Sequence, residues 1–159
     1  VAAHRTAFLL QINQMTKKAF FTFAALFISA IIMAQPVKIN SKDGIAIKGY
    51  DPVAYFTLGK AVKGLPEFSY QWGGATWQFS VKAHLDSFAV RPEKYVPQYG
   101  GYCAYGCSEN HLSPTDPEAW TIVNGKLYLN YNLRTRVAWL QDTTSRIKNA
   151  DTYWPALNH

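Results

Sequence analysis

The sequence predicts a small single α+β domain with two β-hairpins, short helices after the first hairpin and a C-terminal helix. Two pairs of segments rich in β-branched and aromatic residues are each joined by a glycine-containing turn, Gly73-Gly74 in the first pair and Asn124-Gly125 in the second. Residues 133–148 then carry apolar side chains at helical spacing. Hairpins and helices that follow one another in separate runs are typical of α+β proteins.

The elements before the first hairpin are short. Residues 45–47, Ile-Ala-Ile, form a strand candidate. Asp51-Pro52 fits a helix N-cap followed by proline at the first helical position, which predicts a helical turn ending at Phe56. The first hairpin then spans residues 68–79.

Two helical segments are predicted between the hairpins. Ser80 fits the N-cap of a helix over residues 81–89, because serine is favoured at that position. Pro92 opens a further helical turn that ends near Tyr95.

The N-terminal residues have the layout of a bacterial secretory signal peptide. A basic segment begins at Met15, residues 19–33 are almost entirely apolar, and Ala34-Gln35 offers a cleavage point. The apolar segment is short for a membrane span. An uncleaved anchor is the alternative, because Ile32 stands where a small residue is usual.

This layout divides the chain into residues 1–34, upstream residues plus signal peptide, and a single domain at 35–159 with a core at 49–106 and an extension at 107–159. The whole chain has a formal net charge of +6, and the domain without the leader has thirteen basic against ten acidic residues. That excess is too small and too dispersed to indicate nucleic acid as a partner. We expect an exported protein, periplasmic or secreted, with no membrane contact once the signal peptide is removed.

Two stretches carry a family resemblance: GYDPVAYF at residues 49–56 and WQFSVKAHLDSFAVRPEKYVPQYGGYCAYGC at residues 77–107. They resemble the YHS domain, and residues 116–157 are loosely similar to an exported subgroup of that family. The resemblance implies a small metal-binding module. Where many YHS domains carry ligand cysteines, this chain has Ala54, Ser80 and His84, and only His84 can bind a metal.

The cysteines provide the other ligand candidates. Cys103 and Cys107 are four residues apart and share one face if the segment is helical, with His111 one turn further. Cys103, Cys107, His111 and His84 together would provide two thiols and two imidazoles, a ligand set that suits copper or zinc. The predicted metal ligands are thus Cys103, Cys107 and His84, with His111 a weaker one, and the predicted role is metal carriage, buffering or sensing with a metal-handling partner.

Two alternatives stay open at this point. In a thiol redox protein, Cys103 attacks and Cys107 resolves, with a redox protein as partner; some members of the similar subgroup contain selenocysteine, which fits such chemistry. In a structural or binding module, the cysteines pack in the core or form a disulfide. The sequence contains no nucleophile elbow, phosphate-binding glycine loop or His-Glu-Xaa-Xaa-His motif, and we expect carriage, buffering or sensing rather than catalytic turnover.

Overall fold

The computed structural model describes residues 37–159, which belong to one compact unit. The predicted signal peptide at residues 1–34 lies outside the described residues. The two sheets and six helices confirm the predicted α+β class. The strands are β1 (Ser41–Lys42), β2 (Ile45–Ala46), β3 (Leu65–Trp72), β4 (Ala75–Phe79), β5 (Asp116–Val123) and β6 (Lys126–Asn130). The helices are α1 (Ala54–Thr57), α2 (Lys82–Val90), α3 (Pro92–Tyr95), α4 (Ala104–Ser108), α5 (Leu133–Leu140) and α6 (Thr143–Leu157).

Within residues 37–159, no helix combines the length and the apolar character that crossing a membrane requires.

The first sheet has the strand order β1-β2-β4-β3. The predicted hairpin lies at one edge of this sheet, where β3 and β4 run antiparallel and the turn residues Gly73 and Gly74 both have positive φ. The sequence did not indicate that β2 would pair with β4 in parallel, through Ile45 and Thr76. This pairing places β2 beside β4 and so adds the short strands β1 and β2 to the sheet of the first hairpin.

The second sheet is the predicted hairpin of β5 and β6. Asn124 and Gly125 have φ of 51° and 72°, the two positive values that a type I′ turn requires. An isolated parallel bridge joins Leu129 of β6 to Cys103. The second hairpin is therefore the element against which the cysteine segment is fixed.

Two predictions about helix ends are wrong. Ser80 does not cap α2: the N-cap position is Val81, without a side-chain cap, and the Ser80 hydroxyl instead donates to Asp51. The predicted single C-terminal helix is two helices, because Asp142 ends the run after α5 and caps α6 by accepting the Ser145 N–H. Local capping chemistry overrides the continuous apolar spacing at this point.

Apolar side chains form two clusters. The first lies around Trp77, Phe79 and Phe88, where the first sheet meets α2, and it includes Leu127 and Leu129 from β6. The second cluster brings together residues that are far apart in the sequence: Tyr99, Ala104, Cys107, Tyr128, Trp139 and Ala150. Because residues after 107 contribute to both clusters, the predicted core and extension form one folded body. Each large side chain buried in this way contributes about 1.5–3 kcal/mol.

Candidate functional site: a buried thiol beside a surface pocket

Cys103 lies at the N-cap of α4, and its sulfur accepts two main-chain hydrogen bonds. The N–H of Gly106 is 3.4 Å from Sγ, and the N–H of Tyr131 is 3.2 Å from it. The residue is only 1% exposed. The sulfur is therefore not surrounded by apolar groups alone, because two main-chain donors are directed at it.

The glycine pair before Cys103 has a packing role. Gly100 has φ of 58°, and a Cβ placed on it would collide with the main-chain oxygen of Lys38. The N–H of Asn40 donates to the Gly100 carbonyl at 2.8 Å, which anchors the N-terminal strand segment here. The pair therefore allows a close approach of two chain segments and places Cys103 at the start of α4.

A buried asparagine completes the surroundings of the sulfur. Asn130 is fully buried at the end of β6, its Oδ1 accepts the Tyr105 N–H at 3.2 Å, and the same oxygen lies 3.8 Å from Cys103 Sγ. Within residues 37–159, Nδ2 of Asn130 has no hydrogen-bond partner. The neutral thiol can donate to Oδ1, while the thiolate keeps the two main-chain donors.

Cys103 borders a pocket of about 270 Å³. The residues that line it are Cys103, Tyr105, Gly106, His111, Ser113, Tyr131 and Thr135. Two main-chain hydrogen bonds hold the loop containing His111 against α4. The His111 N–H donates to the Gly106 carbonyl at 3.0 Å, and the Cys103 N–H donates to the Ser113 carbonyl at 3.0 Å. The sequence thus brings Cys103 and His111 to one pocket, although His111 does not extend the helix as expected.

His111 is exposed, and its Nδ1 lies 3.4 Å from the Glu109 carbonyl oxygen. In the tautomer with the proton on Nδ1, that oxygen accepts the hydrogen bond and Nε2 carries the lone pair. Nε2 lies on the Gly106 side of the ring, where a Cβ on Gly106 would be 3.2 Å away. The free lone pair is available to take a proton or bind a metal.

Arg146 fixes another wall of the pocket. Its guanidinium carbon lies 4.1 Å from the centre of the Tyr105 ring, and Nη2 donates to the Tyr105 hydroxyl at 3.2 Å. A second nitrogen of Arg146 pairs with Glu109. The sequence shows no basic residue near the cysteines, and only the docking of α6 onto α4 brings this cation close to the pocket wall.

Cys107 lies in a different environment. It is fully buried with Tyr99, Tyr128 and Trp139 in the second cluster, and it does not line the pocket. Burial, aided by the neighbouring Cys103, raises the pKa of the Cys107 thiol from 9.0 to about 12. Both cysteines are free thiols, without the disulfide that the sequence left open.

His84 is held in a separate polar network. Its Nδ1 is 2.6 Å from Oδ2 of the fully buried Asp51, and its Nε2 is 3.2 Å from the Thr57 hydroxyl. Both ring nitrogens thus have protein partners, and the ring does not line the Cys103 pocket. Across residues 37–159, no three or more histidine, cysteine, aspartate or glutamate residues form a group suited to a metal ion. The set of Cys103, Cys107, His84 and His111 is not brought together.

Comparison of this chain with models of known protein families, with curated proteins and with solved structures finds no match.

Proposed function

We propose that this protein is an exported, YHS-like domain whose function depends on thiol chemistry at Cys103. The observation that carries the proposal is the sulfur's position, with two main-chain N–H groups directed at it and a pocket beside it that His111 also lines. Cysteine acts as a nucleophile only as the thiolate, so a site that stabilises negative charge on sulfur suits a reacting group.

The family part of the proposal is supported by a convergence in space. The three positions at which the resemblance expects ligand cysteines are Ala54, Ser80 and His84, and all three donate hydrogen bonds to the carboxylate of Asp51. Residues matched only by their spacing in sequence thus surround one point. A carboxylate holds these positions together here, so we assign them to the stability of the fold and place the chemistry at Cys103.

In this proposal each group beside the sulfur has a defined task. Cys103 is the nucleophile, and the N–H groups of Gly106 and Tyr131 stabilise its charge. His111 is the group that accepts the thiol proton, because its Nε2 has a free lone pair and its side chain borders the same pocket.

A second candidate function is the carriage or buffering of copper or zinc at the same pocket. The shared lining by Cys103 and His111 favours it, since thiolate and imidazole are the ligands these ions prefer. The site would then use two protein ligands, with Cys107 and His84 outside it.

One experiment separates these functions. The purified full chain, prepared without chelator, is analysed for bound metal and for the rate at which a neutral iodoacetamide labels each cysteine in the native state. Selective labelling of Cys103, lost in Cys103→Ala and kept in Cys107→Ala, supports thiol chemistry. Stoichiometric copper or zinc that is lost in both Cys103→Ala and His111→Ala supports the metal function instead. If the protein is metal-free and Cys103 resists labelling until it unfolds, the structural alternative holds and both proposals fail.

Export is tested separately. N-terminal sequencing of the protein recovered from the periplasmic fraction or the medium of the bacterium that expresses it should give a start at Gln35. Recovery only from membranes, with the leader attached, would contradict cleavage.

A further inference from the structure

A second pocket, of about 350 Å³, opens on the first sheet and shares no lining residue with the pocket at Cys103. Three lysines, one aspartate and two uncharged residues line it: Lys42, Lys48, Lys63, Asp43, Ile45 and Gln78. Three positive charges against one negative charge leave an excess of two positive charges. This lining favours an anionic ligand.

The charged residues of this pocket take part in no ion pair with another residue of 37–159. The three ion pairs found in that part of the chain involve other side chains. Lys63 has a fixed position, because its Nζ donates to the main-chain carbonyl of Lys48 and lies 5.0 Å from the centre of the Tyr50 ring. Neither contact brings a negative charge, so the ammonium group remains available to an anion.

Gln78 is the buried polar residue of this pocket. Only 9% of it is exposed, and its side-chain amide makes no hydrogen bond within the described residues, 37–159. Burial of an amide without a partner costs free energy, so most buried amides are paired within the fold. Because Gln78 lines the pocket, a molecule held there can hydrogen-bond to this amide.

Two glycines hold the Gln78 side chain in place. A Cβ on Gly49 would collide with Oε1 of Gln78, and a Cβ on Gly64 would collide with the Gln78 main chain and Cβ. The N–H of Gly64 donates to the Gly49 carbonyl at 2.9 Å, which fixes the two glycines to each other. The fold therefore positions the amide before a ligand binds, which lowers the entropic cost of binding.

The main chain at Lys48 is strained. Ile47, Lys48 and Gly49 have φ of 41°, 56° and 74°, so three successive residues lie in the left-handed region. A β-branched residue such as Ile47 rarely adopts positive φ, and strain of this kind is concentrated at functional sites. This turn presents the Lys48 carbonyl to Lys63 and so brings two of the three lysines together.

The exposure of the lysines determines how many contacts a ligand needs. Lys42, Lys48 and Lys63 are all exposed, and one exposed ion pair adds at most about fivefold to an affinity. An anion with a single charge therefore binds weakly, whereas a dianion can contact two or three ammonium groups at once. A phosphate monoester carries such a charge near neutral pH, because its second pKa is about 6.

We propose that this pocket binds a small organic phosphate. The phosphate group contacts the ammonium groups of the three lysines, and a hydroxyl group of the same molecule hydrogen-bonds to the Gln78 amide, which offers both a donor and an acceptor. A volume of about 350 Å³ lies within the range of pockets that hold small molecules, about 300–1,000 Å³. This binding does not involve Cys103 and does not depend on the thiol function proposed above.

The test is isothermal titration calorimetry of the purified full chain with glycerol 3-phosphate, inorganic phosphate and glycerol. We expect one glycerol 3-phosphate per chain, bound at least about threefold more tightly than inorganic phosphate because its hydroxyl groups reach Gln78. Glycerol alone should not bind. The affinity for glycerol 3-phosphate should fall severalfold when the salt concentration rises from about 0.01 M to about 0.1 M, because salt screens exposed charges.

Variants assign this binding to the pocket. Lys42→Gln and Lys48→Gln should each weaken the binding of glycerol 3-phosphate by about threefold to fivefold. Lys126→Gln removes the same charge from an exposed position on the second hairpin and should bind like the wild type. Gln78→Met keeps the size of the side chain, so its urea midpoint should equal or exceed that of the wild type, while its preference for glycerol 3-phosphate over inorganic phosphate should be lost.

Four outcomes would overturn the inference. The first is the absence of binding. The second is equal weakening by Lys42→Gln and Lys126→Gln, which would show attraction by net charge alone. The third is binding to vesicles of phosphatidylcholine and phosphatidylglycerol without binding of soluble phosphates, which would assign the lysines to a membrane surface. The fourth is a lower urea midpoint of Gln78→Met with unchanged affinity, which would show that Gln78 serves the fold. The labelling of Cys103 is measured independently of all four.

Discussion

Oδ2 of Asp51 lies 2.6 Å from Nδ1 of His84, and the fully buried Asp51 is the centre of a hydrogen-bond network whose other side chains are partly exposed. The same oxygen accepts both the N–H and the hydroxyl of Ser80, at 2.8 and 2.6 Å. The other oxygen accepts the N–H groups of Val53 and Ala54. One carboxylate thus ties α1 to the start of α2, and its two oxygens receive five donors.

Replacement of Asp51 by asparagine should destabilise the fold strongly. The substitution keeps the shape but removes the charge and turns one acceptor into a donor that faces existing donors. Breaking a buried pair of this kind costs about 3 kcal/mol or more. Urea denaturation measures the loss.

The matched control is Asp86→Asn on α2. Asp86 pairs with Lys82 at the surface, where both side chains are mostly exposed, so we expect a change within about 0.5 kcal/mol. Equal effects of the two substitutions would contradict a central role for Asp51.

Cys107 should give the stability a distinctive alkaline dependence. The Cys107 pKa is raised from 9.0 to about 12 by burial, so the unfolded chain loses this proton at a lower pH than the folded protein does. Stability from this group is complete below pH 9.0 and falls as the pH rises towards 12, by up to about 1.4 kcal/mol per pH unit. Unfolding measured at a series of pH values checks it.

The control for this dependence is Cys107→Ala, because buried tyrosines titrate in the same direction. Burial raises the pKa of Tyr55 and of Tyr99 as well, and those contributions persist in the variant. The difference between the two proteins isolates the thiol. A difference that does not change from neutral pH to about pH 10 would show that Cys107 is not held neutral by the fold.

Sequence patterns predicted the parts of the fold that depend on local chemistry. The turns at Gly73-Gly74 and Asn124-Gly125 were located because only certain residues adopt positive φ at low cost. Asp51 accepts the N–H groups of Val53 and Ala54 as a capping side chain does, but α1 begins only at Ala54, with Val53 and not Asp51 at its N-cap position. The break between α5 and α6 was missed because the apolar spacing continues across it.

The candidate site was predicted only in part, because most of it is built by contacts between distant residues. Cys103 is recognisable in the sequence because it is a cysteine. The Tyr131 N–H that donates to it is a main-chain group, which almost every residue has, so the sequence does not indicate this contact. Asn130 reaches the sulfur through the bridge between Leu129 and Cys103, a parallel pairing with no local signal. His84 was grouped with the cysteines by residue type alone, whereas its packing places it with Asp51.

Gly106→Ala should slow the labelling of Cys103 without unfolding the protein. An added Cβ would lie 3.1 Å from the His111 carbonyl oxygen, 3.2 Å from its Nε2 and 3.4 Å from the Ser113 hydroxyl, so the loop must shift. That loop holds the pocket and accepts the Cys103 N–H. The higher helix propensity of alanine, about 1 kcal/mol, opposes the cost in stability.

The matched control here is Gly125→Ala in the second hairpin turn. A Cβ there meets open space, but the φ of 72° strains any residue with a side chain. This variant should lose stability and retain the labelling rate of Cys103, measured with iodoacetamide under native conditions. If Gly106→Ala also retains the rate, the position of the His111 loop does not control the site.

Asn130→Asp should inhibit the chemistry of Cys103 while keeping the shape of the site. The new carboxylate occupies the place of an amide whose oxygen lies 3.8 Å from Sγ, and it can still accept the Tyr105 N–H. Two negative charges at this distance in a buried site repel each other, so the thiolate becomes less favourable and native labelling should slow by about tenfold or more at neutral pH.

Asn132→Asp is the control, because aspartate caps a helix as well as asparagine does and Asn132 caps α5 through the Thr135 N–H. The expected order of labelling rates is wild type equal to Asn132→Asp, with Asn130→Asp far slower and its urea midpoint measured in parallel. If Asn130→Asp folds and reacts at the wild-type rate, negative charge on Cys103 sulfur is not what makes the site reactive.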